Sequence, residues 1–368
     1  MIILRILIFI FGLSLTIYTF ISATRTFVLP RSASVQLTRV VFLSVRHLFN
    51  IAMKALPTYE QRDSLMAIYA PISLLLMVPA WLFITTLGFA CMFWAMGITP
   101  WQEAFLLSGS SILTLGFATA ETMPQTILAF IEATVGLILV AMLISYLPTM
   151  YSAFSQREEA VSLLEVRAGT PPTAPELVWR LYSFESTLVN QNFWNNWERW
   201  FTQIDESHTS LAALVFFRSP RAQQSWVVAA GVVLDGAALY LSTIKRPKDA
   251  PPTQGLVIRA GNFALRHIAD IFSVHYNDDP HFPEDPISVT RAEFDEAYDR
   301  LASQGVPLQP DRDAAWQHFA GWRVNYDSVL VALARMTMAP EVNWLSDYTF
   351  VPASTADGQS SGSLQKVR

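Results

Sequence analysis

Long apolar runs, almost free of charge, dominate the first half of the chain. Residues 67–98 hold no Lys, Arg, Asp or Glu, and residues 125–152 hold one acid, Glu132, and no base. Each run exceeds the roughly 20 residues an α-helix needs to cross the hydrocarbon core of a bilayer, so two spanning helices are predicted. Residues 2–22 form a third apolar run, interrupted only by Arg5. A secretory leader shares that basic flank, but this run is long and the following "ISATRT" is a poor cleavage site. A retained N-terminal transmembrane helix over residues 1–22 is therefore expected.

Residues 35–56 alternate differently. Arg39, Arg46 and Lys54 fall within about 80° of one another on a helical wheel, opposite Leu37, Val41, Val45, Leu48 and Ala52. A basic stripe opposite an apolar one predicts a helix lying on the membrane surface. As a span it would bury three bases at about 2.5–3.5 kcal/mol each.

Beyond residue 152 the apolar stretches shorten to helical periods at 176–186, 190–206, 222–243, 256–273, 291–304 and 311–336. "TPPTAP" at 170–175 breaks the helix that leaves the membrane, and Thr290 with Glu293 forms a capping-box pattern before the fifth period. A mostly helical domain over 153–351 follows, with a low-complexity tail at 352–368 predicted to be disordered. Trp226–Ile244 is long enough to span apart from Asp235, while its two glycines and central acid also fit a buried core helix. Both readings stay open.

The placement of charge sets the sidedness. Arg25, Arg31, Arg39, Arg46, Lys54 and Arg62 crowd residues 23–66, whereas residues 97–124 contain no base, only Glu103 and Glu121. Bases resume with Arg157 and Arg167. The positive-inside rule puts the basic linker 23–66 and everything after 152 in the cytoplasm, and 97–124 outside. A multi-pass protein of the inner or plasma membrane with a cytoplasmic C-terminal domain is expected. Composition agrees: 52% of the 368 residues are hydrophobic and 15% charged. The lone Cys91 allows neither an intrachain disulfide nor a cysteine metal site. No basic patch points to nucleic acid.

The stretch "TLGFA" occurs twice, at 86–90 and 114–118. The first copy lies inside an uncharged span, where non-helical backbone would expose amides to lipid. It is read as helix, with Gly88 a packing contact. The second copy follows a helix start made of Thr99, Pro100 and Gln102, with Thr99 as the cap. A helix over 100–113 is too short to cross; then come the motif, a polar turn and the spanning helix from Gln125. Irregular backbone at membrane depth is tolerated only where it lines a water-filled path or is buried in protein. Residues 67–152 are thus predicted to form a pore module of outer helix 67–98, pore helix 100–113, filter 114–118 and inner helix 125–152.

This module, under a quarter of the chain, resembles the two-helix pore of the potassium channel superfamily. Thr114, Leu115, Gly116 and Phe117 fit its threonine–valine–glycine–aromatic filter; Ala118 stands where the family has a second glycine and Thr119 where it has aspartate. The resemblance implies two spanning helices flanking a re-entrant pore helix and filter loop; together with the extra N-terminal helix and the mostly helical cytoplasmic domain read from the residues, an all-α membrane protein is expected. It further implies a homotetramer in lipid, conducting monovalent cations, with K⁺ as permeant ion and no other cofactor.

The physics of such a filter stands beside the resemblance. A dehydrating cation needs rings of backbone carbonyls, and aligning them takes backbone angles that favour glycine, which Gly116 supplies. Thr114 adds a hydroxyl, and the short helix turns a partially negative C-terminus toward the ion path. Glu103 and Glu121 concentrate cations at the outer mouth. At Ala118 a Cβ in a left-handed position costs about 1–2 kcal/mol, so strict potassium selectivity and weakly selective cation passage both remain open. Gly136, near where the family's inner helix bends, is a hinge or a packing contact, and Pro148 removes a helical hydrogen bond near the inner end. Glu132 is an acid within the membrane, read as protonated or bonded to the back of the pore loop, in a buttressing role.

Other candidates are weaker. No G-x-G-x-x-G follows residue 152. Trp194 and Trp197 are read as core or membrane belt. His275, Asp278, Asp279, His281, Glu284 and Asp285 crowd one proline-rich loop without a recognisable ligand spacing, so no metal site is assigned. Ser207 and His208 are neighbours, which does not make them nucleophile and base; no enzymatic activity is expected. The alternative function is a non-conducting membrane receptor or scaffold with a degenerate pore.

Overall fold

The computed structural model describes residues 1–27, 36–184, 187–245 and 252–340; the low-complexity tail and Arg31 lie outside them. Regular structure among the described residues is helical, apart from an isolated antiparallel bridge between Ile244 and Leu308. Four segments are long and apolar enough to cross a membrane: Ile2–Phe27, Tyr59–Ala95, Met123–Ala168 and Trp226–Thr243. The chain is an all-α membrane protein. It divides into two units, residues 1–54 with 68–152 and residues 55–67 with 153–368.

In the first unit α1 (Ile2–Phe27) runs beyond the expected end at residue 22 and packs along α4 (Tyr69–Ala95). Their backbones meet where Gly12 faces Gly88. A Cβ on Gly12 would strike the Gly88 carbonyl, and one on Gly88 the Thr16 hydroxyl. Small residues permit this approach, which lets dispersion replace the hydrophobic driving force that lipid does not supply. Further along, the fully buried Trp81 donates to the Ser22 hydroxyl at 3.4 Å and meets the Phe27 ring edge-on at 4.9 Å.

Helix α2 (Gln36–Met53) buries Val45 and lays Leu37, Val41 and Phe42 against Trp81 and its neighbours. Leu48 and Ala52, predicted on the same apolar face, stay exposed. Arg46 lies 5.5 Å over the Tyr69 ring, and Lys54 falls just past the helix end. Helix α3 (Tyr59–Ala67) precedes α4 but belongs to the second unit. Helix α5 (Trp101–Ile112) is the short one. Its cap position is taken by Pro100, which places the first turn beyond the Thr99 hydroxyl; no side chain caps it. Helix α6 (Met123–Ala168) runs unbroken through Pro148, past the expected end at 152, and stops at Gly169, whose φ is +85°.

The second unit adds α7 (Ala174–Phe184), α8 (Thr187–Ser210), a 3₁₀ turn at Ala212–Phe216, α9 (Trp226–Thr243), α10 (Thr253–Ile271), α11 (Arg291–Ser303), α12 (Arg312–Arg323) and α13 (Asp327–Thr337). Helices α7, α10, α12 and α13 all pack on α9. Trp226 to Thr243 is consequently buried almost throughout, so α9 is the core of a helical domain, with protein on every side. Gly236 leaves room for Leu177, and Trp194, Trp197, Trp200 and Phe201 of α8 join the same core. The capping box at α11 is present: Thr290 accepts from the Glu293 amide at 3.3 Å and its own amide donates to the Glu293 carboxylate at 2.7 Å. The periodic stretch 311–336 forms two helices. Asn325 Nδ2 donates to the Gly321 and Trp322 carbonyls at 2.9 and 3.2 Å, satisfying the last turn of α12 and ending it.

Two buried polar clusters organise this core. Arg323 pairs with Asp235, donates to Asp327 at 2.7 Å and to Ser288 Oγ at 3.0 Å, while Tyr326 donates to Asp235 at 2.8 Å. Burial and the Asp235 carboxylate push the Tyr326 phenol up; burial alone would pull the Arg323 guanidinium down, but Asp235, Tyr326 and Asp327 together more than offset it. Arg157 is also buried. It pairs with Glu158 at 2.7 Å, donates to the Leu214 and Phe217 carbonyls at 2.9 and 2.7 Å, and lies 3.3 Å from His208 Nε2. Burial first, then the Arg157 charge, hold His208 well below the ordinary imidazole range. Arg218 pairs with Asp63 of α3 and donates to the Thr337 and Met338 carbonyls at 2.8 and 3.0 Å.

Candidate functional site

The second TLGFA stands where α5 ends. Leu113 closes the helix, and the chain then enters the left-handed region at Thr114 (φ 53°) and again at Gly116 (φ 74°). Ala118 does not take a positive φ. The strain expected at the alanine therefore falls on Thr114, a β-branched residue for which this conformation is uncommon.

Ser110 makes most of the hydrogen bonds that hold the loop, and the Ser111 carbonyl accepts from the Thr114 amide at 3.0 Å. The Ser110 carbonyl accepts from the Leu115 amide at 2.8 Å and the Gly116 amide at 3.5 Å, and the Ser110 hydroxyl accepts from the Ala118 amide at 3.1 Å. Leu115 and Phe117 are left 60% and 62% exposed in the single chain. Beyond the loop, Gln125 Oε1 accepts from the Glu121 and Thr122 amides at 3.3 and 3.1 Å, and its Nε2 donates to the Met96 carbonyl at 3.3 Å. Glu103 and Glu121 are both exposed.

The opposite face of α5 is buried. Ser108, fully buried, hydrogen-bonds the equally buried Glu132 of α6 and lies 2.9 Å from the Thr86 carbonyl of α4. Positions two apart on a helix point about 200° apart, so Ser108 faces the first TLGFA while Ser110 holds the second. Glu132 Oε2 and Thr85 Oγ1 are buried with no hydrogen-bond partner among the described residues. A turn further along α6, a Cβ on Gly136 would collide with the Ile112 carbonyl and side chain. Gly136 is thus the close contact at which α6 passes the end of α5. Pro148 lies on the same helix, about 18 Å further along its axis, and takes no part in this cluster.

Thr114, Leu115, Gly116, Phe117, Ala118, Glu132 and Gly136 therefore gather around α5. Ser108, Ser110, Thr86 and Gln125 complete the arrangement, and the sequence reading passed over them. The only signal for the two serines was "SGSS", a polar interruption within a short apolar helix.

The remaining candidates resolve differently. The 275–285 loop is closed on itself: Asp285 accepts from the Asn277 side chain at 3.1 Å and the His281 amide at 3.0 Å. These bonds, the backbone one foremost, hold its carboxyl below the usual range. No group of three potential metal ligands occurs among the described residues. Ser207 Oγ lies 3.0 Å from His208 Nδ1, but the other ring nitrogen faces the Arg157 guanidinium rather than an orienting carboxylate. Trp194 and Trp197 are core. Comparison with protein-family models, curated proteins and solved structures finds no match to this chain.

Proposed function

We propose that the chain is the pore-forming subunit of a cation channel related to potassium channels, assembled as a homotetramer around the 114–118 loop. In this reading the protein is multi-pass, residues 97–124 face outward and the helical domain after 152 is cytoplasmic. The observation that carries it is an irregular loop between two apolar helices, anchored by Ser110 on one face of α5 and backed by the Ser108–Glu132 contact on the other. Backbone alternating into the left-handed region at 114 and 116 suits carbonyls that face one way. That alternation stops before Ala118, which favours fewer ion sites and weaker discrimination between potassium and sodium than a filter with a second glycine. A symmetric ring is needed because one loop per chain cannot surround an ion.

The same broken alternation supports the second reading, a non-conducting receptor. Ion flux into proteoliposomes separates the two. The wild type is expected to pass potassium at least as well as sodium, and Ala118→Gly to sharpen the preference. No flux from either protein, each folded and tetrameric, would leave the receptor.

A further inference from the structure

A cleft of about 350 Å³ opens in the second unit where the start of α10 meets the end of α12. Pro252, Leu256, Arg259 and Asn262 stand on one side of it, Trp322 and Asn325 on the other, and most of its surface is apolar. Leu256 is 44% exposed, and a Cβ added to Gly255 would meet only the Trp322 ring, at 4.0 Å. The cleft is therefore open to the backbone of α10 beside a flat indole. Two of its polar side chains are already engaged. Trp322 Nε1 donates to His318 Nε2 at 3.0 Å, and Asn325 Nδ2 donates to the Gly321 and Trp322 carbonyls. Arg259 differs. It is exposed and makes no ion pair among the described residues; its guanidinium lies 5.4 Å over the Phe263 ring. Stacking in that way uses the face of the guanidinium and leaves the N–H groups in its plane open. No acid is among the residues that line the cleft.

We propose that this cleft binds an aromatic monocarboxylate, its rings against Trp322 and Leu256 and its carboxylate on Arg259. The size follows from the volume: a cavity of about 150 Å³ takes the six carbons of benzene, so this one takes roughly fourteen non-hydrogen atoms. The flat body follows from the indole and the open backbone at Gly255. The negative charge follows from Arg259, an accessible cation with no acid beside it in the cleft. An exposed ion pair contributes little by itself, so the apolar body supplies most of the affinity and the carboxylate sets the preference. Binding here does not rest on the channel reading; only its regulatory meaning does.

The probe is 2-naphthoate, with neutral 2-naphthol, cationic 2-naphthylmethylamine and ring-free acetate as comparisons. Each is titrated onto the full chain in lipid nanodiscs at pH 7 and read by calorimetry and thermal unfolding, with empty nanodiscs subtracted. Naphthoate is expected to bind saturably and raise the unfolding temperature, ahead of all three comparisons. Arg259→Gln keeps the length of the side chain and removes the charge; it is expected to weaken naphthoate about fivefold and leave naphthol unchanged. Gly255→Leu places a side chain in the cleft beside Trp322 at a helical position that favours leucine over glycine. It is expected to stay folded and to lose both ring compounds. No saturable binding at millimolar naphthoate, full binding in Gly255→Leu, or an intact preference for naphthoate in Arg259→Gln would each overturn the proposal. So would naphthol, the amine or acetate binding as tightly as naphthoate to the wild type. Naphthoate binding by a protein that conducts nothing would uphold the cleft and strike the channel reading alone.

Discussion

Ser110 and Glu132 show how much at this site depends on single polar atoms. Removing the Ser110 hydroxyl frees the Ala118 amide but leaves the two bonds to the Ser110 carbonyl intact. Ser110→Ala should therefore cost only about 1 kcal/mol of stability while altering potassium-to-sodium selectivity in the flux assay. Glu132→Gln keeps a hydrogen-bonding partner for Ser108 and, on the channel reading, should assemble and conduct as the wild type does. Glu132→Ala opens a hole beside Ser108, whose hydroxyl keeps the Thr86 carbonyl as its acceptor, and should lower thermal stability and flux together; equal behaviour of the two variants would remove Glu132 from any supporting role. His208 gives the pH-dependent counterpart in the second unit. Its folded pKa is depressed by burial and Arg157, so its contribution is complete above the unfolded value of about 6.5 and is lost as pH falls below it. The slope approaches about 1.4 kcal/mol per pH unit, and should vanish in His208→Gln when unfolding is followed between pH 7.5 and 5. Gly116 and Glu132 were legible in the sequence because their residue types are unusual where they stand. Ser108 and Ser110 were not, since which carbonyl or amide a serine meets is decided by neighbours far along the chain.

Among elements, the uncharged runs read directly as α1, α4 and α6, because nothing but length and apolarity decides whether a segment suits a bilayer. The short α5 was legible from its proline start and the polar turn behind it. Boundaries were less so. Helix α6 continues past 152 because Val161, Leu164 and Ala168 find a core to enter, and 311–336 splits because Asn325 ends α12 with its side chain. The two copies of TLGFA are one motif in two elements: the first is helix, and its glycine serves the α1–α4 contact. Gly12→Leu should force those helices apart, costing about 1–3 kcal/mol by overpacking. Gly109→Leu, where an added Cβ meets nothing, should be tolerated far better, with thermal unfolding in detergent as the measure.

For the whole molecule the uneven distribution of charge carries the most information. If residues 97–124 face outward, replacing Glu103 and Glu121 by Gln should reduce potassium flux at low ionic strength and leave it unchanged near 1 M salt, where screening operates within about 3 Å. Loss at both extremes would place the acids in the conduction path itself. Asp235 poses a question of biosynthesis. Helix α9 is apolar enough to be taken for a membrane segment as it emerges, and the Arg323 that pairs with its acid is made 88 residues later. During that interval the carboxylate alone argues against insertion, at about 2.5–3.5 kcal/mol for a charge near the middle of a span. The residue that later anchors the core would first act as a sorting signal for the translocation machinery. Asp235→Leu should send α9 into the bilayer and carry the chain beyond it to the opposite side, which a glycosylation site introduced near residue 280 would report.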